Sequence, residues 1–197
     1  MVQRAQVAMT SEPGLVRTLR DLTWKPWEIE VNTRAKYMES VNLMRIGRAE
    51  IEANPDGISL GGLLFDSLAA VGQMSREQIA QPGSTAFNAG VSAYRDMLNG
   101  VASYAWVVTA GNSRADQINA GAAYVRLNLR AALQGIAAHP VSQALQEFPE
   151  MAEPYRNVHA ALDVASPNTL QMLARIGYGP EVDPAPRWPL EAKLENA

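Results

Sequence analysis

The stretch from residue 102 to residue 141 constrains the fold more than any other part of the chain. Residues 102–110, ASYAWVVTA, are rich in β-branched and aromatic side chains and predict a strand. A long helix is predicted at about 113–135, where Gly135 ends it. Residues 136–141, IAAHPV, predict a second short strand. A strand, a long helix and another strand in succession indicate helices packed on a sheet.

The predicted helix at 113–135 has two faces that suit packing. Residues that step by four and three form an apolar stripe, which predicts burial: Ile118, Ala122, Val125, Leu129 and Ala132. A neighbouring face is mostly small and would let another helix approach closely: Gly121, Tyr124, Asn128, Ala131 and Gly135. A helix with two packing faces is central either in its domain or in a dimer.

The first hundred residues predict a mainly helical region. A helix begins near Ser11 and Pro13, and WKPW at 24–27 is expected to interrupt it. A second helix, capped by Thr33, is expected to run to NPDG at 54–57. After a short helix in LLFDSLAAV, residues 75–86 predict a loop and residues 87–99 a helix.

The second half adds a helix near 150–163 and a third strand at 169–178. We therefore expect one domain over residues 1–197. Residues 1–100 would form its mainly helical part, a possible lid. Residues 101–197 would form a β-α-β-α-β part that ends in a C-terminal arm.

Composition excludes several classes of function. A net charge of −3 argues against nucleic acid as a partner, and the absence of cysteine excludes disulfides and thiolate metal sites. No metal-ligand spacing is present, and no apolar run approaches the ~20 residues of a membrane span. We expect a cytoplasmic protein. Charged residues make up only 19%, below the usual ~25%, which favours a surface partly covered by a partner.

No catalytic motif stands out, and the two histidines favour ordinary roles. We expect His139 to be a structural histidine that forms hydrogen bonds with backbone groups, and His159 to be exposed to solvent. The segment HPVSQ at 139–143 is more informative, because Pro140 stops strand pairing and leaves the following amides free for a ligand with acceptor atoms. The alternative is an ordinary helix start with Ser142 as its N-cap.

Three segments together resemble a known family. Residues 121–143, GAAYVRLNLRAALQGIAAHPVSQ, resemble the central helix and following strand of the FMN-dependent nitroreductases. Residues 173–194, LARIGYGPEVDPAPRWPLEAKL, resemble that family's last strand and C-terminal arm. Residues 40–62 resemble the Acg-like branch, whose chains are fused tandem halves that mimic a nitroreductase dimer. The resemblance covers most of residues 25–194.

The resemblance implies an α+β, nitroreductase-like fold, with helices packed on a small central β-sheet and a long central helix. It also implies FMN at the interface of two halves, with hydride passing from NAD(P)H through the flavin to a nitroaromatic or quinone-like acceptor. By position, Arg187 would contact the FMN phosphate. The residues that would lie beside the flavin ring near N5 are Pro140, Val141, Ser142 and Gln143. No catalytic residue and no metal ligand is assigned.

The sequence also departs from the family pattern. Trp188 stands where family members often carry a second basic residue, and the family's N-terminal flavin motifs are missing. The chain therefore resembles the C-terminal half of an Acg-like protein, and we expect it to pair with a second copy or with a complementary N-terminal half. The alternative is a half-domain without catalysis that sequesters flavin or binds a partner.

Overall fold

The centre of the fold is a four-stranded antiparallel sheet. The computed structural model describes residues 5–182 and 184–194. The chain divides into two compact units. The first runs through Glu30 and resumes at Arg95–Pro180, and the second comprises Val31–Tyr94 and continues from Glu181. The sheet lies in the first unit.

Its strands follow the order β1-β4-β6-β5, and every neighbouring pair is antiparallel. Their bounds are β1 (Gln6–Thr10), β4 (Ser103–Thr109), β5 (Ala137–Pro140) and β6 (Thr169–Gly177). The three strands predicted in the second half of the chain are confirmed. β1 was not predicted, because its sequence QVAMT is short and lies almost wholly exposed at the sheet edge.

The helices of the first unit pack around this sheet. They are α1 (Pro13–Asn32), the C-terminal part of α6 (Thr85–Asn99), α7 (Arg114–Ala132) and α8 (Ala152–Ala161), with 3₁₀ turns at Gln143–Leu145 and Pro149–Met151. The prediction that WKPW interrupts α1 is wrong. Pro26 lies inside the helix and is fully buried. We infer that its apolar burial offsets the backbone hydrogen bond that a proline cannot donate.

α7 packs on the sheet by its small residues. Ser113 and Asp116 form a capping box at its start. Ala120 and Ala123 are buried against Val107 of β4. The predicted stripe is therefore not buried within this chain: Val125 is 56% exposed and Leu129 62%. Alanine lets the helix lie close to the sheet, so the larger apolar residues face outward.

The second unit is built from short elements around Val41, Ile46 and Ile79. Its elements are α2 (Arg34–Leu43), β2 (Met44–Ile46), α3 (Gly47–Ala53), β3 (Ile58–Leu60), α4 (Leu63–Ala70), α5 (Arg76–Ala80), the N-terminal part of α6, and α9 (Glu191–Leu194). The single helix predicted up to NPDG is wrong, because β2 interrupts it to pair in parallel with β3. The loop predicted at 75–86 contains α5, whose start Ser75 caps.

His159 links α8 to the sheet, contrary to the prediction that it is solvated. Its residue is 8% exposed. Nδ1 lies 2.8 Å from the Tyr155 carbonyl oxygen, and Nε2 lies 3.1 Å from the Leu170 amide nitrogen. Since an amide N–H can only donate, Nε2 is the acceptor and Nδ1 carries the proton. Sequence could not reveal this role, because the Leu170 amide on β6 comes within reach of the ring only after folding.

The mixed helix-and-sheet class predicted from the sequence is confirmed. None of the helices in the described ranges is long and apolar enough to cross a bilayer.

We expect His159→Ala to lower the free energy of unfolding by about 1–3 kcal/mol, because the buried Leu170 amide loses its acceptor. Urea denaturation measures the loss. Arg156→Ala, at an exposed position of the same helix, should change stability little. Equal unfolding midpoints for the two variants would contradict the structural role of His159.

Candidate functional site: the turn after β5

The turn that follows β5 is held against β6 by its backbone. Val141 is fully buried, and its N–H donates to the Leu173 carbonyl oxygen at 2.9 Å. The prediction that the amides after Pro140 are free is therefore wrong for Val141. Although Pro140 stops regular pairing, the next residue makes one further bond to the sheet.

The Ser142 side chain completes this attachment. Its Oγ donates to the Leu173 carbonyl oxygen at 2.9 Å and accepts from the Leu173 amide at 3.0 Å. The alternative interpretation of Ser142 as an ordinary N-cap is correct for its position but not for its side chain. Ser142 occupies the residue before the 3₁₀ turn Gln143–Leu145, but its side chain makes no capping bond there.

The Ser142 backbone N–H is a free donor of this turn. Among the described residues it has no acceptor, and the residue is half-buried. The hydroxyl is already committed to Leu173, so Ser142 offers a ligand its amide rather than its side chain. A backbone donor fixed by neighbouring bonds can bind an acceptor atom without reorganising.

His139 precedes this turn and contacts Arg175 on the neighbouring strand. The Arg175 Nε donates to His139 Nδ1 at 3.0 Å, so the neutral ring carries its proton on Nε2. His139 is thus held by a side chain, where the sequence predicted backbone partners. The residue remains exposed at the sheet edge, yet partial burial of the ring, followed by the Arg175 charge, lowers the pKa of His139 below its usual value.

Arg187 lies on the C-terminal arm, in the second unit. Its side chain is exposed, and Nη1 donates to the Pro186 carbonyl oxygen at 2.7 Å. Within the described ranges no carboxylate lies within 4.0 Å of its guanidinium. Most of its donors therefore remain available to an anion.

The residue after Arg187 fixes the arm. Trp188 Nε1 donates to Asp56 Oδ2 at 2.9 Å, and Arg45 Nη2 lies 2.7 Å from Asp56 Oδ1. The Trp188 hydrogen bond, followed by the Arg45 hydrogen bond, lowers the pKa of Asp56. Gly57 is required beside it, because a Cβ there would lie 2.2 Å from the Leu43 carbonyl oxygen. NPDG predicted a turn, but nothing in its sequence indicated that Asp56 anchors the arm.

The structure thus brings the four predicted turn residues, Pro140, Val141, Ser142 and Gln143, together on one segment of the first unit. Arg187 belongs to the second unit. Whether these residues bind flavin stays a prediction. No cluster of three histidine or carboxylate residues within the described ranges could hold a metal ion.

Solved structures share this architecture. The FMN and NADPH-dependent nitroreductase NfnB from Sphigopyxis sp. strain HMH aligns over 96% of this chain and 78% of its own, with 15% identity and a TM-score of 0.52. The chain has the nitroreductase fold. The FMN-dependent nitroreductase NfnB from Mycobacterium smegmatis aligns at 18% identity over 96% and 77%, with a TM-score of 0.46. No family model matches the sequence, and neither does any curated protein.

The nitroreductase-like fold expected from the resemblance is therefore confirmed. At such identities the likeness extends to the fold alone, so cofactor and reaction depend on the chain's own residues.

The lowered pKa of His139 has a consequence for stability. Between that pKa and the unfolded value of about 6.5, the unfolded chain binds more protons than the folded one, so stability falls as pH falls. We expect the wild-type melting temperature to drop more from pH ~7.5 to ~5.5 than that of His139→Asn, which keeps an acceptor for Arg175 but does not titrate. Thermal melts at both pH values measure the difference. Identical drops would contradict this assignment.

Proposed function

We propose that the chain is an FMN-dependent oxidoreductase of the nitroreductase type. The observation that carries the proposal is the turn after β5. Its Ser142 N–H has no acceptor among the described residues and belongs to a segment that the bonds of Val141 and Ser142 to Leu173 hold in place. A fixed donor suits an acceptor atom such as flavin N5. The nitroreductase fold supports the same reading.

The residues present fit FMN in donor chemistry. The Ser142 amide of the first unit would serve an acceptor atom of the ring. The Arg187 guanidinium of the second unit, which forms no ion pair with a described residue, would serve a phosphate, for which its planar donors are suited. The bond from Trp188 to Asp56 keeps the backbone beside Arg187 in place. Pro140 and Gln143, which precede and follow Val141 and Ser142 in the chain, would also lie beside the ring.

When bound, FMN supplies hydride transfer between NAD(P)H and an acceptor, which we propose to be a nitroaromatic or quinone-like molecule. NfnB from Sphigopyxis sp. strain HMH, which shares this fold, is described as FMN and NADPH-dependent. The chain itself contributes binding and orientation. The rigid Ser142 N–H would stabilise negative charge at the atom it contacts, at no cost of reorganisation.

We further propose that the outward stripe of α7, defined by Ile118, Ala122, Val125, Leu129 and Ala132, packs against a second copy of the chain or against a complementary N-terminal half. The neighbouring Leu133 is 80% exposed and extends the apolar surface. Contiguous exposed apolar residues on one helix face indicate an interaction site. An Acg-like arrangement would supply the family's missing N-terminal flavin elements from that partner.

The visible spectrum of the purified protein tests the proposal. We expect a yellow protein, or one that takes up added FMN, whose flavin absorbance bleaches anaerobically with NADPH. Bound flavin that resists NADPH but accepts electrons from dithionite would select the flavin-sequestering alternative. Colourless protein that stays free of flavin after incubation with FMN would refute cofactor binding by this chain alone.

We expect Arg187→Ala to weaken FMN binding by about 1.5–3 kcal/mol, roughly tenfold to 100-fold, through loss of a charge-assisted phosphate contact. Fluorescence quenching of FMN measures the dissociation constant. Arg48→Ala is the matched control, because Arg48 is also an exposed arginine of the second unit, its side chain 79% exposed. If Arg187→Ala binds FMN as the control does, the phosphate role is excluded.

The α7 stripe predicts the oligomeric state. Replacing Val125 or Leu129 with Glu places a charge in the stripe, and we expect a dimeric protein to become monomeric without unfolding, since both side chains point away from this chain's core. Sedimentation velocity measures whether the variant is monomeric, and circular dichroism measures whether it remains folded. Gln117→Glu adds the same charge on the same helix outside the stripe and should remain dimeric. A wild-type chain that is already monomeric would leave only a complementary half as the partner.

A further inference from the structure

A cleft between α1 and α6 in the first unit has no part in the proposed flavin chemistry. Its volume is about 230 Å³, below the ~300–1,000 Å³ typical of sites for drug-sized ligands, so it suits a smaller molecule. It is lined by Arg20, Asp21, Trp24, Arg95, Leu98 and Asn99. Two cations and one anion therefore face the same small space.

Arg20 is held in place by backbone. Both its Nε, at 3.1 Å, and its Nη2 donate to the Val101 carbonyl oxygen. This arrangement occupies one edge of the guanidinium and leaves the Nη1 donors without an acceptor among the described residues. Because the other edge is fixed, these donors are preorganised.

Arg95 is positioned by an aromatic ring. Its guanidinium carbon lies 4.2 Å from the centre of the Trp24 ring, and Trp24 in turn contacts Trp27 with ring centres 5.3 Å apart. No described residue accepts a hydrogen bond from the Arg95 side chain. Stacking thus orients five N–H donors without using any of them.

The negative charge in the cleft is also unpaired. The Asp21 carboxylate lies beyond 4.0 Å from both arginines and accepts no hydrogen bond from the described chain. Alone, Asp21 would repel an anion drawn to Arg20 and Arg95. A ligand that carries an ammonium group beside its anionic group would satisfy all three charges.

We propose that this cleft binds a small zwitterion of the amino-acid type. Its carboxylate contacts Arg20 and Arg95, its ammonium group faces Asp21, and the buried Leu98 forms an apolar wall. The site is separate from the flavin-facing turn and needs no cofactor.

Glycine, acetate and ethylammonium, titrated separately at constant ionic strength and neutral pH, test the proposal. The readout is the ¹⁵N–¹H signal of the Trp24 indole, assigned with Trp24→Phe. We expect glycine to shift this signal saturably, with an affinity about fivefold above that of acetate because of Asp21. Arg95→Gln should weaken glycine binding roughly tenfold. Asp21→Asn should abolish the preference over acetate.

Two variants control for general charge effects. Arg156→Gln removes an exposed arginine of the same unit that does not line the cleft, and Arg187→Ala removes the arginine proposed for the FMN phosphate. Both should bind glycine as the wild type does. The proposal fails if the shift of the Trp24 indole signal grows linearly with glycine concentration and equals the shift caused by sodium chloride. It also fails if acetate binds as tightly as glycine, if Arg95→Gln changes nothing, or if Arg187→Ala removes the response.

Discussion

The backbone of Leu173 is the point on which the candidate site depends. Leu173 lies in the middle of β6, is fully buried, and pairs on one side with Trp106 of β4. On the other side β5 ends at Pro140, so the N–H and C=O of Leu173 would face no partner strand. A buried unpaired amide costs about 1–3 kcal/mol, and Val141 and Ser142 remove that cost. The turn is thereby fixed, and the Ser142 amide is left without an acceptor among the described residues.

The long helix shows how one element can serve two surfaces. Ala120 and Ala123 bring α7 close to the sheet. Leu129 and its neighbours in the stripe consequently face solvent in a single chain. Apolar side chains of that size lower the free energy when they are removed from water, which is why we propose that a partner covers this face of α7. The low proportion of charged residues is consistent with such a covered surface.

The position of the C-terminal arm depends on the hydrogen bond between Trp188 and Asp56, which the local sequence around neither residue predicts. Proline-rich sequence keeps the segment extended, but the bond from Trp188 to Asp56 fixes where it lies within its unit. Trp188 thus has a role of its own at a position where the resemblance suggested a second cation. The remaining cation, Arg187, donates to the Pro186 carbonyl oxygen and is exposed, so its other donors stay available.

Local sequence determined a substantial part of this protein. The β-branched run at 102–110, the helix that follows it and Gly135 at its end were predictable, because strand propensity and glycine geometry act within a few residues. The tertiary structure decided the rest. It set which face of α7 is buried. Ala120 and Leu129 are both apolar, and only the packing of the helix on the sheet decides that Ala120 is buried and Leu129 exposed. It likewise paired Ser142 with Leu173, His139 with Arg175 and Asp56 with Trp188. Those partners lie far apart in the chain, and no local pattern records a contact that exists only after folding.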